Sequence, residues 1–182
     1  MPETQRLNIV DEDDNVIGQE SRENIHKNGI LHREIHVWIY NTKGDILFQK
    51  RSMTKDTYPG LLDASAGGHV ELNDSYEKAA IRELEEETGL KADKKDLTYI
   101  TKIRKKSYDK LTGMTNNVIR AVYAYKYDNE QEIKLEEGMA DSLEFWPVEK
   151  IFNISEEDRK KFIATILSEE YMEIYKKIQE LK

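Results

Sequence analysis

The stretch from Gly68 to Leu90 constrains this chain more than any other. It reads Gly68-His69-Val70-Glu71-Leu72-Asn73-Asp74-Ser75-Tyr76-Glu77-Lys78-Ala79-Ala80-Ile81-Arg82-Glu83-Leu84-Glu85-Glu86-Glu87-Thr88-Gly89-Leu90. Tyr76, Ala80 and Leu84 recur at helical spacing and predict a helix that docks one stripe on a sheet. Asp74 stands where an N-cap belongs, and Glu77 three positions on completes a capping box. Gly89, just past the last periodic residue, predicts the stop. The final turns carry Glu83, Glu86 and Glu87, three and four apart and therefore on one face. Like charges at that spacing repel, and they crowd the helix end where the dipole already disfavours anions. A run of charge is usually a solvated face. Here a hard divalent cation accounts better for the cost, because carboxylate oxygens are the ligands Mg²⁺ takes.

The remaining chain predicts strands on either side of this helix. Glu34 to Tyr40 alternates strictly, turns at Asn41-Thr42-Lys43-Gly44 and returns as Asp45 to Arg51. That is a β-hairpin with Ile35, Val37 and Ile39 on one face. A shorter hairpin over residues 5–19 bends at Asp11-Glu12-Asp13-Asp14, and Ser21 caps a short helix to residue 27. Residues 60–72 read as a Gly-rich loop or strand. Leu97 to Ile103 and Asn117 to Tyr125 read as strands. In the second, Ile119, Ala121, Tyr123 and Tyr125 share one face, and Val118, Val122 and Ala124 the other. Phe145-Trp146-Pro147-Val148 is a short strand, followed by a turn of helix to Phe152. Across residues 156–181, Ile163, Ile166, Leu167, Ile174, Ile178 and Leu181 predict one long amphipathic helix. Central strands with helices before and after predict an α/β fold, with helices on both faces of a mixed sheet. No domain boundary stands out. Residues 1–182 read as one domain, with 1–30 an N-terminal extension of the same unit.

Composition narrows the function classes. A net charge of -8 argues against a protein that coats nucleic acid. It is compatible with an enzyme acting on a phosphorylated small molecule, because a bound cation reverses the local field. The absence of cysteine excludes disulfides, thiolate metal sites and a thiol nucleophile, and it fits a cytoplasmic location. No apolar run approaches a membrane span, and the start Met1-Pro2-Glu3-Thr4-Gln5 lacks the order of a signal peptide.

The Gly68–Leu90 stretch resembles the signature of the Nudix hydrolases. Arg82 to Leu90 matches its closing part without a mismatch, and Asp74 replaces the family's first Glu. The resemblance implies a Nudix-type α/β/α sandwich with a central mixed sheet, and hydrolysis of a diphosphate with Mg²⁺ or Mn²⁺ as cofactor. It implies that Glu83, Glu86, Glu87 and the carbonyl of Gly68 hold metal, and that Glu83 also activates water. A loop carboxylate is the alternative base. Arg82 orients Glu83 or pairs with Glu86, while Glu85 points elsewhere and is dispensable. The short Asp74 is read first as a cap, worth about 1 kcal/mol. Glu71, Glu144 and the loop pair Glu136 and Glu137 are further carboxylates, with a solvated acidic loop as the plainer explanation.

Residues 7–90 also resemble isopentenyl diphosphate isomerase and its Nudix relatives. The likeness runs through Val10 to Gly18, His32, the hairpin to Arg51, Lys55 and Pro59 to Ser65. In that isomerase a cysteine just before a Gly-His pair moves the proton, and a metal cage uses several histidines with glutamates. Here Gly67 occupies the cysteine's place, and no side chain there can transfer a proton. His26, His32 and His69 echo the cage, although His26 does not keep its spacing. His36 alternates with Ile35 and Val37 and reads as a sheet-face residue. Hydrolysis is therefore favoured over isomerisation; a Nudix-fold binding module with little catalysis is the other alternative. Lys50, Arg51 and Lys55 are candidates for phosphate contact and His69 for touching the ligand. Tyr58, Trp38, Tyr123 and Tyr125 are candidates for stacking on a base, against the plainer role of core. The expected partner is a small-molecule diphosphate such as a nucleoside diphosphate, with no nucleic acid and no membrane. The C-terminal helix covers the sheet or makes a homodimer. The signature does not reach the residues that read the head group, so the substrate stays open.

Overall fold

A computed structural model describes residues 5–55, 57–135, 138 and 140–182. These residues build a 9-stranded mixed sheet with helices on both faces. β1 (Arg6–Val10) and β2 (Val16–Ser21) form the N-terminal hairpin. The Ser21 hydroxyl accepts from the Asn24 amide and starts α1 (Arg22–Asn28), as expected. β3 (His32–Tyr40) lies centrally, antiparallel to β6 (Ala66–His69) and parallel to β8 (Thr115–Lys126). β7 (Leu97–Tyr108) pairs antiparallel with β8. β4 (Ile46–Arg51) pairs with β5 (Leu62–Asp63) and with β9 (Ala140–Trp146). No helix among the described residues is long and apolar enough to cross a membrane.

The β3–β4 hairpin forms, but its strands meet only beside the turn, where Tyr40 faces Ile46. Beyond that point β3 continues with β6, and β4 with β5 and β9. Their divergence opens a cleft.

Alternation along β3 and β8 sorts side chains between two cores. Ile35, Val37, Ile39, Ala121, Tyr123 and Tyr125 pack against Ala79, Ala80 and Leu84 of α2 (Tyr76–Thr88). Trp38, Tyr40, Val122 and Ala124 face α3 (Val148–Phe152) and α5 (Glu169–Gln179), through Ile151, Tyr171, Ile174, Tyr175 and Ile178. Each large apolar side chain so buried contributes about 1.5–3 kcal/mol. Trp38, Tyr123 and Tyr125 are therefore core residues and cannot stack on a base. Trp38 instead meets the rings of Phe48 and Tyr175 edge-on.

Two expectations about helix ends fail, one for a local reason and one for a tertiary one. The cap of α2 is Ser75, whose hydroxyl accepts from the Lys78 amide at 3.1 Å. Asp74 lies one residue outside and turns to Lys78 Nζ at 2.7 Å and Arg82 Nε at 3.4 Å. Ser75→Ala is expected to lower stability by about 1 kcal/mol in a urea titration, the usual cost of a lost cap. An unchanged midpoint would return the capping role to Asp74.

The long helix expected over residues 156–181 is also broken. It consists of α4 (Glu156–Arg159), a 3-10 turn at Ala164–Leu167 and α5 (Glu169–Gln179). Between α4 and the turn the backbone bonds to β5. The Leu62 amide donates to the Lys161 carbonyl at 2.8 Å, and the Ile163 amide to the Leu62 carbonyl at 3.0 Å. Those groups are unavailable to a helix. Ile163, Ile166 and Leu167 are still buried, but from a bend instead of a stripe.

Candidate functional site

The divergence of β3 and β4 leaves a cleft of about 730 Å³. That is within the size range of small-molecule sites. Glutamates from α2 line one end and histidines from α1 and β6 the other.

At the glutamate end, Glu83 and Glu87 turn inward and Glu85 is exposed, as the helical spacing requires. Gly68 makes room for Glu83: a Cβ built on it would overlap the Glu83 carboxylate. The glycine is needed here for close approach. Glu87 is buried, and its Oε2 accepts from the Gly67 amide and from Gln49 Nε2, each at 3.1 Å. Burial, then the charge of Glu83, pushes the Glu87 carboxyl up to about 8. Burial likewise raises Glu83, against the pull of Arg82 and with the push of Glu86 and Glu71.

Arg82 ties this end together. Its Nη1 donates to Glu83 at 2.8 Å and to Glu86 at 3.0 Å, while Nη2 donates to the His69 carbonyl at 3.0 Å. The three glutamates are therefore looser than expected. Among the described residues, His26, His32 and His69 form the set of three whose ligand atoms lie within 4.8 Å of one another; the glutamates do not. Arg82 draws Glu86 aside as a counter-charge, and Glu87 leans toward β4 and β6. Glu86 is half exposed, and among the described residues that ion pair is what holds it. Glu85→Ala is expected to leave turnover within about twofold of wild type in steady-state assays, as for an exposed side chain outside the cleft.

Arg51 and Lys55 line the cleft as expected, with Arg51 Nη1 3.3 Å from Asp63 and its Nε donating to the Thr57 carbonyl at 3.0 Å. Tyr58 and Glu71 line it too. Lys50 and Glu144 do not; Glu144 accepts instead from Trp146 Nε1 at 3.2 Å. Glu136 and Glu137 lie outside the described residues. Gln49 and Asp63 line the cleft as well, although neither is marked by its sequence neighbours as a site residue.

At the histidine end the structure brings together what spacing did not promise. His26 on α1 places Nε2 3.1 Å from His69 Nε2, and the His32 ring stacks on His69 with centroids 5.2 Å apart. His32 Nδ1 donates to the Ile30 carbonyl at 2.9 Å, so its Nε2 carries a lone pair. That atom is buried with no partner. Burial lowers the pKa of all three rings, that of His69 to about 3. Three neutral imidazoles whose ring nitrogens converge this closely are a transition-metal donor set.

Behind the histidines runs a buried polar chain. Arg120 donates to Glu34 through Nη2 at 2.6 Å and Nε at 3.2 Å, and Asn116 donates to Glu34 at 2.9 Å. Arg120 Nη1 donates to the Tyr171 hydroxyl at 2.7 Å, and that hydroxyl lies 3.3 Å from His36 Nδ1. Burial alone would raise the Glu34 carboxyl, but Arg120 and the nearby imidazoles hold it well below the usual range. Burial, then the Arg120 charge, keeps His36 neutral. Strict alternation placed Glu34 and His36 on one face; nothing local revealed Arg120 as the parallel neighbour of Glu34.

Comparison with known proteins identifies the family and the fold. The family model described as the NUDIX domain matches residues 30–166. An uncharacterised Nudix hydrolase of Clostridium acetobutylicum is 34% identical over 136 residues, covering 72% of this chain and 63% of the relative. The Nudix hydrolase YfcD of Escherichia coli is 41% identical over 87 residues, covering 48% of each. The match thus spans less than two thirds of either relative's length. A Deinococcus radiodurans protein, DR0079, superposes with a TM-score of 0.69 at 21% identity, covering 96% of this chain and 99% of that one. At that identity the likeness concerns the fold alone.

Proposed function

Because the chain belongs to the Nudix hydrolase family, we propose that it hydrolyses a diphosphate linkage in a nucleoside diphosphate or related X-diphosphate, with Mg²⁺ or Mn²⁺. The supporting observation is the buried Glu87 beside the partly buried Glu83 at one end of the cleft, with Gly68 cleared of a side chain to admit Glu83. The donors are all oxygen, which suits a hard cation. Glu83, Glu86, Glu87 and the Gly68 carbonyl would hold it. The chemistry such a cation would supply is neutralisation of diphosphate charge and a more acidic bound water. Arg82 holds the Glu83 carboxylate in place, and Glu83 takes the water's proton. Arg51 and Lys55 meet phosphate oxygens from the opposite wall. Water attacks one phosphorus, the bridging P–O bond breaks, and two phosphorylated products leave. A screen of nucleoside diphosphates, nucleotide sugars, dinucleotides and isoprenoid diphosphates should show Mg²⁺-dependent cleavage of at least one class. Tight binding without cleavage of any would favour a binding module instead.

The histidine set favours a second use of the same cleft, isomerisation of isopentenyl diphosphate by a relative of the enzyme it resembles. Gly67 weighs against that chemistry. It has no side chain to carry a proton, and a Cβ there would crowd the His36 ring at 2.9 Å from Cδ2. We assign His26, His32 and His69 to a transition-metal ion that accompanies hydrolysis. Co²⁺ added to the protein should give visible absorption bands that His32→Ala abolishes. Double-bond migration in isopentenyl diphosphate without phosphate release would establish the isomerase and overturn hydrolysis.

A further inference from the structure

His36 projects from β3 into the cleft beside Glu34 and Arg120. Its Nδ1 meets the Tyr171 hydroxyl, which Arg120 also contacts. A guanidinium has donors and no acceptor. The Tyr171 oxygen therefore accepts from Arg120, and its own proton goes to His36 Nδ1. Arg120 cannot reverse this, because its remaining nitrogens grip Glu34. With Nδ1 an acceptor, the proton of the neutral ring resides on Nε2. No described residue accepts from Nε2. The Cδ2–Nε2 edge borders the space above Gly67, where a Cβ would lie 2.9 Å from Cδ2 and 3.5 Å from Nε2. Gly67 in turn donates its amide to Glu87. Whatever occupies that space is the part of a ligand next to the glutamates.

We propose that His36 is a substrate-positioning residue whose Nε2–H donates to a non-bridging phosphate oxygen over the gap left by Gly67. The assignment rests on the diphosphate function given above. A neutral donor suits this wall, because Arg120 already places a buried positive charge beside it. Trp38 and Tyr171 pack around the ring, so little rotamer freedom is lost on binding. Arg120 and Tyr171 act through His36 by fixing which nitrogen is protonated. The C-terminal helix α5, which carries Tyr171, thereby reaches the cleft.

Nitrogen-15 NMR of the histidine rings tests this on the full protein, with Mg²⁺ and methylenediphosphonate as a non-hydrolysable probe. The wild type should show His36 as the Nε2–H tautomer, and Tyr171→Phe should give a tautomer mixture. The probe should shift the Nε2–H resonance. In kinetics, His36→Ala should lower kcat/KM about tenfold to a hundredfold, as for a hydrogen bond to a charged group. His36→Gln, which keeps an N–H donor, should recover part of that loss. An Nδ1–H tautomer, a resonance indifferent to the probe, or wild-type kcat/KM in His36→Ala would each overturn the assignment. Should the wild type cleave no diphosphate at all, hydrolysis is refuted, while the tautomer and probe shift still decide the role of His36.

Discussion

Glu87→Gln is expected to lower Mg²⁺-dependent turnover by about 10²–10³-fold while making the metal-free protein more stable at pH 8. Both effects come from one buried carboxyl. Gln keeps the shape and an oxygen for the Gly67 and Gln49 donors, but it removes the charge a cation would meet. In the metal-free fold that charge is a burden, since Glu87 rises from an ordinary 4.5 to about 8. Its contribution to stability is complete below 4.5 and is lost as pH climbs toward 8, because the unfolded chain ionises first. The depressed imidazoles have the opposite sign. Below about 6.5 the unfolded chain gains protons that the fold refuses, so stability falls with falling pH. Glu87 is therefore best seen between pH 6.5 and 8. Over that window metal-free wild type should lose about 2 kcal/mol relative to Glu87→Gln, from roughly 1.4 kcal/mol per pH unit. Mg²⁺ should restore wild type at pH 8 and leave the variant unchanged. Denaturant titrations at three pH values, with and without Mg²⁺, measure all of this. Equal slopes in the two proteins would remove Glu87 as the buried acid.

Gly68→Ala is expected to cost about a hundredfold in kcat with little loss of stability. The new methyl overlaps the Glu83 carboxylate, which is the movable end of a side chain, so the backbone need not shift. Gly68 has no left-handed φ to strain. Glu83 must move instead, and a displacement of about 1 Å at a reacting group costs about 10²-fold. The loss should appear in kcat more than in KM, because ground-state contacts from Arg51 and Lys55 remain. A thermal melt beside steady-state kinetics separates the outcomes. Wild-type kcat would place Glu83 outside the chemistry, and a large drop in Tm would make Gly68 a packing residue.

Local signals in the sequence placed much of the secondary structure around this cleft. The period of Tyr76, Ala80 and Leu84 gave the buried stripe of α2, and Gly89 ends it in the left-handed conformation. Alternation sorted Ile35, Val37 and Ile39 from Glu34 and His36 correctly. What could not be read was a choice between neighbouring caps and, above all, pairing at a distance. Asp74 and Ser75 are both competent caps, and cations from Lys78 and Arg82 decide between them. Helical spacing persists from Ile163 to Leu181, yet Lys161 and Ile163 give their backbone groups to Leu62. The hairpin looked closed because each strand alternates properly, although β3 and β4 take different partners. His69 lies far along the chain from His26 and His32, and the three meet because α1 packs against β8 and β6 pairs with β3. Arg120 and Glu34 find each other through parallel register.

Anomalous diffraction from a crystal soaked in Mn²⁺ and methylenediphosphonate bears on the catalytic assignment most directly. A manganese peak bounded by Glu83, Glu86, Glu87 and the Gly68 carbonyl, with the diphosphonate beside it, is the expected map. A peak confined to His26, His32 and His69, with the glutamates still paired to Arg82, would contradict it.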